Sequence, residues 1–272
     1  MSHLYIDVPI GKRLIWYLAA EEYFAKKFQV LYANYINHFD GVLFMWIVPP
    51  TVIFGRHQVM ANEVNIDYCQ ANNIAMYRRK SGGGCVYADE GNVMISYIAP
   101  SSHSEQVFQS YLDKMSDTLC QLGYDAVKST HNDIMVGEYK VSGNACCAMP
   151  NATIVHGTML YDVNFEVLQQ AITPSQEKLA KHGVESVRQR VMNLKEVSRG
   201  IKGLEFQSVE QFADRIKELW CNQTYIPTDN DIHEIDKIEQ EYLDPTFISR
   251  LYPIALAPLG SGRMLWLFHL DL

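Results

Sequence analysis

Apolar residues recur at helix and strand spacings along most of the chain. Residues 12–27, KRLIWYLAAEEYFAKK, place Leu14 and Leu18 on one side of a helical projection and predict an amphipathic helix. The run 41–58, GVLFMWIVPPTVIFGRHQ, reads as strand, Pro-Pro break, strand and polar turn. IAMYRRKSGGGCVY (74–87) predicts a strand entering a glycine loop, and NVMISYIAP (92–100) predicts the strand that leaves it. Ser102 and Glu105 have capping-box spacing ahead of a helix carrying Phe108, Leu112, Met115 and Leu119, which stops at Gly123. ATIVHGTMLYDV (152–163) lacks clean alternation and predicts a strand buried on both faces. Ser208 and Gln211 repeat the capping spacing before Phe212, Ile216 and Leu219, and DIHEIDKIEQEYL (231–243) predicts a further helix. Leu251–Leu272, with Pro253, Pro258 and Gly262, shows no strong period and carries no predicted element.

Within HNDIMVGEYKVSGNA (131–145), Gly137-Glu138 separates two β-prone runs and predicts a two-residue type II′ hairpin turn. That turn sets a register in which Val136 faces Tyr139, Met135 faces Lys140, Ile134 faces Val141 and Asp133 faces Ser142. Alternation then assigns Ile134, Val136, Tyr139 and Val141 to the core. Asp133, Met135, Lys140 and Ser142 share the other face, with Asp133 and Lys140 as diagonal neighbours. Interleaved helices and strands with several short turns predict an α+β fold, a mixed and largely antiparallel sheet flanked by helices.

The 272 residues are 48% hydrophobic and 20% charged, a globular composition without short-period repeats. The formal net charge of −8 argues against bulk nucleic-acid or anionic-membrane binding. MSHLYIDVPIGKRL lacks the layout of a signal peptide, and no apolar run reaches transmembrane length. Six cysteines show no CxxC spacing, and with nine scattered histidines they make no zinc pattern. Free thiols in a cytoplasmic protein are the expectation.

The glycine loop MYRRKSGGGCVYADEGN (76–92) sets Arg78, Arg79 and Lys80 ahead of three glycines. It is neither a Walker A sequence nor GxGxxG. Bare N–H groups form an anion-binding concavity and arginine adds a bidentate fork, so the loop reads as a phosphate site or as a mobile surface turn. Asp133 and Lys140 read as a catalytic floor or as an ordinary exposed ion pair. His156, in an otherwise apolar strand, reads as a hydrogen-bonded core histidine or as a general base. KHGVESVRQRVMNL (181–194), with Lys181, Arg188 and Arg190, reads as a solvated loop or as a cationic flap. The vicinal Cys146 and Cys147 read as small buried thiols or as a nucleophile.

In this order, RRKSGGGCVYADEGN, HNDIMVGEYKVSGNA, HGTML and SVRQRVMNL resemble the successive signature blocks of the lipoate–protein ligase family. WYLAAEE and LFMWIVPPTVIFGRHQ resemble its first helix and strand pair, and the resemblance covers roughly residues 11–205. It implies the fold shared by biotin ligases and class II aminoacyl-tRNA synthetases. It implies a two-step reaction in which lipoate attacks the α-phosphate of ATP, giving lipoyl-adenylate, and the acyl group passes to a lysine of an acceptor domain. Lys140 would bridge the lipoate carboxyl group and the α-phosphate. Asp133 would orient Lys140, and it is the candidate for holding Mg²⁺. The adenylate would contact Arg78, Arg79, Ser81, Gly82, Gly83, Gly84, Cys85, Val86, Tyr87 and Asn92. Ser142, Gly143, His156, Gly157 and Arg188 would complete that site, with the Lys181–Arg190 stretch closing over it. The implied partners are lipoyl domains of 2-oxoacid dehydrogenase complexes or the glycine-cleavage H protein, and an accessory subunit.

The sequence departs from the family pattern at Ala88-Asp89, where His-Asp is usual, and at Cys85, where a small apolar residue is usual. Residues 1–225 are expected to form the catalytic domain and 226–272 a C-terminal helix and tail, shortened relative to two-domain ligases. That length leaves three expectations open: weak activation alone, need for a separate subunit, or the transfer step only. Two alternatives are an ATP-independent octanoyl- or lipoyltransferase using a cysteine thioester, and a non-catalytic lipoate-binding subunit. YDAVKST (124–130) has no cysteine where one transferase branch carries its nucleophile, and RRKSGGGC does not match the biotin ligases' GRGRxGR.

Overall fold

The computed structural model describes residues 3–34, 39–100, 103–130, 132–172, 191–198 and 206–249. Its central sheet comprises β1 (His3–Ile6), β2 (Gly41–Trp46), β6 (Asn92–Ala99), β7 (Ala126–Lys128), β8 (Asp133–Val136), β9 (Tyr139–Met149), β10 (Ala152–Leu160) and β11 (Cys221–Tyr225). The strand order is β11-β1-β2-β6-β10-β9-β8-β7. β1 runs parallel to both neighbours, and the other pairings are antiparallel. A smaller sheet of β3 (Thr51–Phe54), β4 (Ala75–Arg78) and β5 (Val86–Ala88) has the order β4-β3-β5, and the glycine loop joins β4 to β5. The mixed, largely antiparallel α+β architecture is the one expected.

The helices are α1 (Leu14–Asn34), α2 (Met60–Glu63), α3 (Ile66–Ala71), α4 (Ser104–Gln121), α5 (Phe165–Ala171), α6 (Leu194–Val197), α7 (Val209–Trp220), α8 (Asp229–Leu243) and α9 (Pro245–Ser249). Strand alternation sorts the two cores. On β6, Met94 and Ile98 pack on the α1 side, while Val93, Ile95 and Tyr97 pack with Tyr111, Leu112 and Met115 of α4 and Phe212 and Ile216 of α7. Residues Leu14 to Ala20 of α1 are all buried, not only one face as the amphipathic reading expected. The outer side is covered by α8: Arg13 donates Nε and Nη2 to the two oxygens of Glu239, each at 3.1 Å, and Trp16 Nε1 donates to Asp236 at 2.7 Å.

Capping follows local chemistry. Gly123 ends α4 with a φ of +98°, and α4 begins at Ser104; Ser102 lies outside the described residues. Ser208 caps α7 by accepting from Gln211 N–H, but the Gln211 side chain accepts from Gln207, so only half of the expected box forms. α8 starts two residues earlier than expected, because Thr228 and Asp231 form a full capping box.

The hairpin turn is present, with Gly137 at φ +59°, and Val136 faces Tyr139 and Met135 faces Lys140 as expected. Beyond that the register slips. Ile134 faces Ser142 and Asp133 faces Gly143, so Val141 is the extra residue of a bulge. Ile134, Val136 and Val141 are buried, but Tyr139 is 39% exposed, because it stands beside the turn at the outer end of the ladder. Ser142, expected on the polar face, is buried because the bulge sets it opposite Ile134.

Candidate active site

The bulge decides what surrounds Lys140. Its ammonium stands 2.7 Å from Asp133 Oδ1, with the two side chains 33% and 26% exposed. The approach is off the axis of a good hydrogen bond, so that oxygen has no aligned donor among the described residues. The lysine arm lies over Gly143, where a Cβ would come within 2.8 Å of Nζ and 2.9 Å of Cε. Glycine is needed there so that the arm can lie flat. Gly143→Ala is expected to push the ammonium off Asp133 and to lower at least about tenfold any activity that depends on that ammonium. Its circular dichroism should match wild type; activity within twofold would show that the arm's position does not matter.

The side-chain amides of Asn132 and Asn144 hold the Asp133 backbone in place. Asn144 Nδ2 donates to the Asn132 carbonyl at 3.0 Å and to Ser142 Oγ at 3.1 Å, and Asn132 Nδ2 donates to the Asn144 carbonyl at 2.7 Å. Gly157 pairs with Asn144, and a Cβ on it would fall 2.1 Å from Asn144 Oδ1. Ser142 and Gly157 therefore serve the shape of the hairpin end. Lys140 also pairs with Val191, and Met192 N–H donates to its carbonyl at 3.1 Å, which brings the chain back beside the lysine after residue 190. Lys181, Arg188 and Arg190 lie outside the described residues.

The glycine loop is organised by its arginines through main-chain carbonyls. Arg79, buried, donates from Nε and Nη2 to the Gly82 carbonyl at 3.0 and 2.7 Å, from Nη2 to Gly84 at 2.6 Å, and from Nη1 to Ile53 at 3.3 Å. Arg78 donates from Nη1 to the carbonyls of Arg56 and Gln58 at 2.6 and 2.8 Å and from Nε to Ile248 at 3.0 Å, with its guanidinium 4.7 Å above the Phe54 ring. Both forks were expected to face an anion; here they face carbonyl oxygens. Burial lowers the Arg79 pKa to about 10, so the group keeps its charge at neutral pH, and its hydrogen-bond partners among the described residues are carbonyls. A buried cation without a carboxylate partner still favours a nearby anion. Gly83 adopts a φ of +94°, and Gly83 and Gly84 are exposed. Cys85 and Val86 are half-buried, whereas Tyr87 packs into the core of the small sheet.

A narrow cleft with about 30 Å³ of free interior opens beside this loop, between α1, β9, β10 and α8. Its polar wall holds a line of hydrogen bonds that the sequence did not disclose. Ser81 Oγ lies 3.0 Å from His156 Nε2, and His156 Nδ1 lies 3.1 Å from Glu21 Oε2. Glu21 Oε1 accepts from Ser96 Oγ at 2.6 Å, which in turn accepts from Trp46 Nε1 at 2.9 Å. His156 is thus a hydrogen-bonded core histidine that also faces the cleft. Leu18, Met149 and Ile154 supply apolar surface. Leu14, Leu18 and Glu21 share one helical face, so an acid on an apolar stripe was the available signal for Glu21.

Asn92 is fully buried, and neither atom of its amide has a hydrogen-bond partner among the described residues. Left so, it costs about 1–3 kcal/mol. Burial raises the thiol pKa of Cys146 to about 11 and of Cys147 to about 12, which leaves neither a thiolate near neutral pH and disfavours a thioester mechanism. Among the described residues no group of three or more His, Cys, Asp or Glu is placed to hold a metal, and no helix is long and apolar enough to cross a membrane.

Residues 17–219 match the family model of the lipoyl protein ligase A/B catalytic domain. Over 229 residues the chain is 32% identical to lipoate–protein ligase 1 of Staphylococcus aureus, covering 82% of this chain and 66% of that protein. Over 180 residues it is 33% identical to the lipoate-protein ligase LplJ of Bacillus subtilis, covering 66% of this chain and 52% of that one. The chain thus spans between about half and two thirds of the length of these curated relatives. The bipartite lipoate protein ligase of Thermoplasma acidophilum, studied with its E2 lipoyl domain, shares the fold with a TM-score of 0.73 at 21% identity, covering 94% of this chain and all of that one. A lipoate-protein ligase A structure bound with ATP gives a TM-score of 0.74 at 21% identity, covering 93% of this chain and all of that one. On the matched span, which is most of its length, the chain belongs to the lipoyl protein ligase A/B catalytic-domain family.

Proposed function

We propose that this chain activates lipoate with ATP and passes the lipoyl group to a lysine of an acceptor lipoyl domain. One observation carries the reading: the Lys140 ammonium, aligned over Gly143 and steadied by Asp133, stands at the end of a ladder face that also lines the acyl cleft. A carboxylate and an α-phosphate repel one another, and a fixed ammonium touching both offsets that repulsion. The carboxylate oxygen then forms its bond to phosphorus as the bond to pyrophosphate breaks. In the second step the acceptor's amine displaces AMP from the acyl carbon.

The named relatives support this, as lipoate–protein ligases about a third identical to the chain over the aligned stretch. Arg79 supplies buried positive charge beside the exposed glycines, and Asn92 supplies a buried amide without a hydrogen-bond partner among the described residues. Asp133 fits Mg²⁺ in the usual way for that ion, as one carboxylate completed by substrate phosphates and water. When bound, the ion would neutralise phosphate charge. In this reading residues 1–225 supply the catalytic residues, α8 of the C-terminal stretch 226–272 packs against them, and an accessory subunit is a partner in activation. Cys69, Cys120, Cys146, Cys147 and Cys221 stand as thiols, which suits a cytoplasmic setting.

The test incubates this protein with lipoate and a recombinant lipoyl domain, with and without ATP, and weighs the acceptor by mass spectrometry. The expected result is a lipoyl mass increase that requires ATP. Modification without ATP would replace the ligase with a transferase. Lipoate binding with no adenylate, even with an accessory subunit added, would leave only a carrier.

A further inference from the structure

One wall of the cleft comes from a residue beyond the segment that the catalytic family model matches. Tyr242, on α8, is 4% exposed and lines the cleft with Leu18, Met149 and Ile154. The family match ends at residue 219. α8 is nevertheless locked to the site. It is pinned to α1 by Arg13–Glu239 and Trp16–Asp236, and Lys80 of the glycine loop joins Glu22 at 2.8 Å and Glu241 at 2.6 Å. The same ammonium stands 4.7 Å from the centre of the Tyr242 ring, and Phe247 meets that ring edge-on at 5.8 Å. The ring is held on several sides, so its placement is a built feature of the cleft.

The β9–β10 ladder gives the cleft a scale. Paired residues on its α1-facing side are Gly143 with Thr158, Ala145 with His156, Cys147 with Ile154, and Met149 with Ala152. Same-face pairs repeat every ~7 Å, so the Cys147–Ile154 pair lies ~14 Å from the Gly143 step under Lys140. Cys147 and Ile154 line the cleft together with Tyr242, and Glu21, Glu22 and Cys147 are near enough to raise the phenol pKa further above the ordinary range, beyond the effect of burial.

We propose that Tyr242 closes the apolar end of the acyl cleft and sets the length of chain it accepts, restricting it to medium-chain acids of about the reach of octanoate or lipoate. The inference rests on the ligase reading, because that reading places the carboxylate at Lys140. Removing the phenol leaves space where α8 met the cleft, and a hydrophobic site discriminates about 10-fold or more for each methylene gained or lost.

The experiment is calorimetric titration of the full chain, in the presence of a non-hydrolysable ATP analogue, with lipoate and saturated acids from hexanoate to dodecanoate. Wild type is expected to prefer octanoate and lipoate. Tyr242→Ala is expected to move the optimum to decanoate or dodecanoate, changing the dodecanoate-to-octanoate affinity ratio at least about tenfold. Tyr242→Phe, which keeps the ring, is expected to keep the wild-type optimum. Tyr242→Leu serves if the alanine variant fails to fold, and should shift the optimum in the same direction. An unchanged length profile in folded Tyr242→Ala or Tyr242→Leu overturns the inference and leaves the ligase reading intact. Absence of any acid binding by wild type overturns both, and is distinguishable from a flat profile.

Discussion

Lys140→Ala is expected to lower lipoyl-adenylate formation by about 10²–10³-fold, measured as lipoate-dependent pyrophosphate release. The loss comes from charge. Without the ammonium, a carboxylate must approach an α-phosphate with nothing to offset their repulsion, and the charge developing at phosphorus loses its nearest cation. The thermal midpoint should stay within a few degrees of wild type, because both partners of the Lys140–Asp133 pair are partly solvent-exposed. Such pairs contribute about 0–1 kcal/mol. Asp133, left alone, can rehydrate. Lys140→Arg should not restore the rate: the planar fork is bulkier than an ammonium lying flat over Gly143, and it presents its charge in another direction. Wild-type pyrophosphate release from Lys140→Ala, or a far-ultraviolet spectrum resembling that of a core mutant, would show that the lysine is not where the chemistry happens.

The hairpin shows what the sequence could and could not carry. Gly137-Glu138 specified the turn because its first residue needs a positive φ, and alternation specified the first two pairs beyond it. The bulge at Val141 left no mark, because an inserted β-branched apolar residue reads the same whether it pairs or protrudes. Yet the bulge is what sets Asp133 opposite Gly143 and buries Ser142. β1 and β11 escaped notice for a different reason: they pair in parallel across more than two hundred residues of chain, and short segments such as CNQTY carry no periodicity of their own. The arginines mark a further limit. Composition placed cations beside glycines, but whether a guanidinium faces an anion or a carbonyl depends on how the loop folds back on β3. Residue type alone could not say.

Replacing Arg79 separates those two roles. Arg79→Met removes the hydrogen bonds that hold Ile53, Gly82 and Gly84 and removes the buried charge. Hydrogen bonds to a charged group contribute about 1.5–3 kcal/mol each in favourable cases, so a net loss of about 3 kcal/mol is expected. For a domain of this size that lowers the melting temperature by about 6–12 °C. Arg79→Lys keeps a cation but cannot span carbonyls on three sides with a single ammonium, so it should lose nearly the same stability. If the charge serves the nucleotide, the lysine variant should bind ATP about tenfold more tightly than the methionine variant despite their matched melting temperatures. That difference is about 1.4 kcal/mol. Equal ATP affinities in the two variants would mean that Arg79 acts only as the scaffold of the glycine loop. The anion would then be held by the loop's own N–H groups, and the expectation that an arginine faces the phosphate would have to be given up.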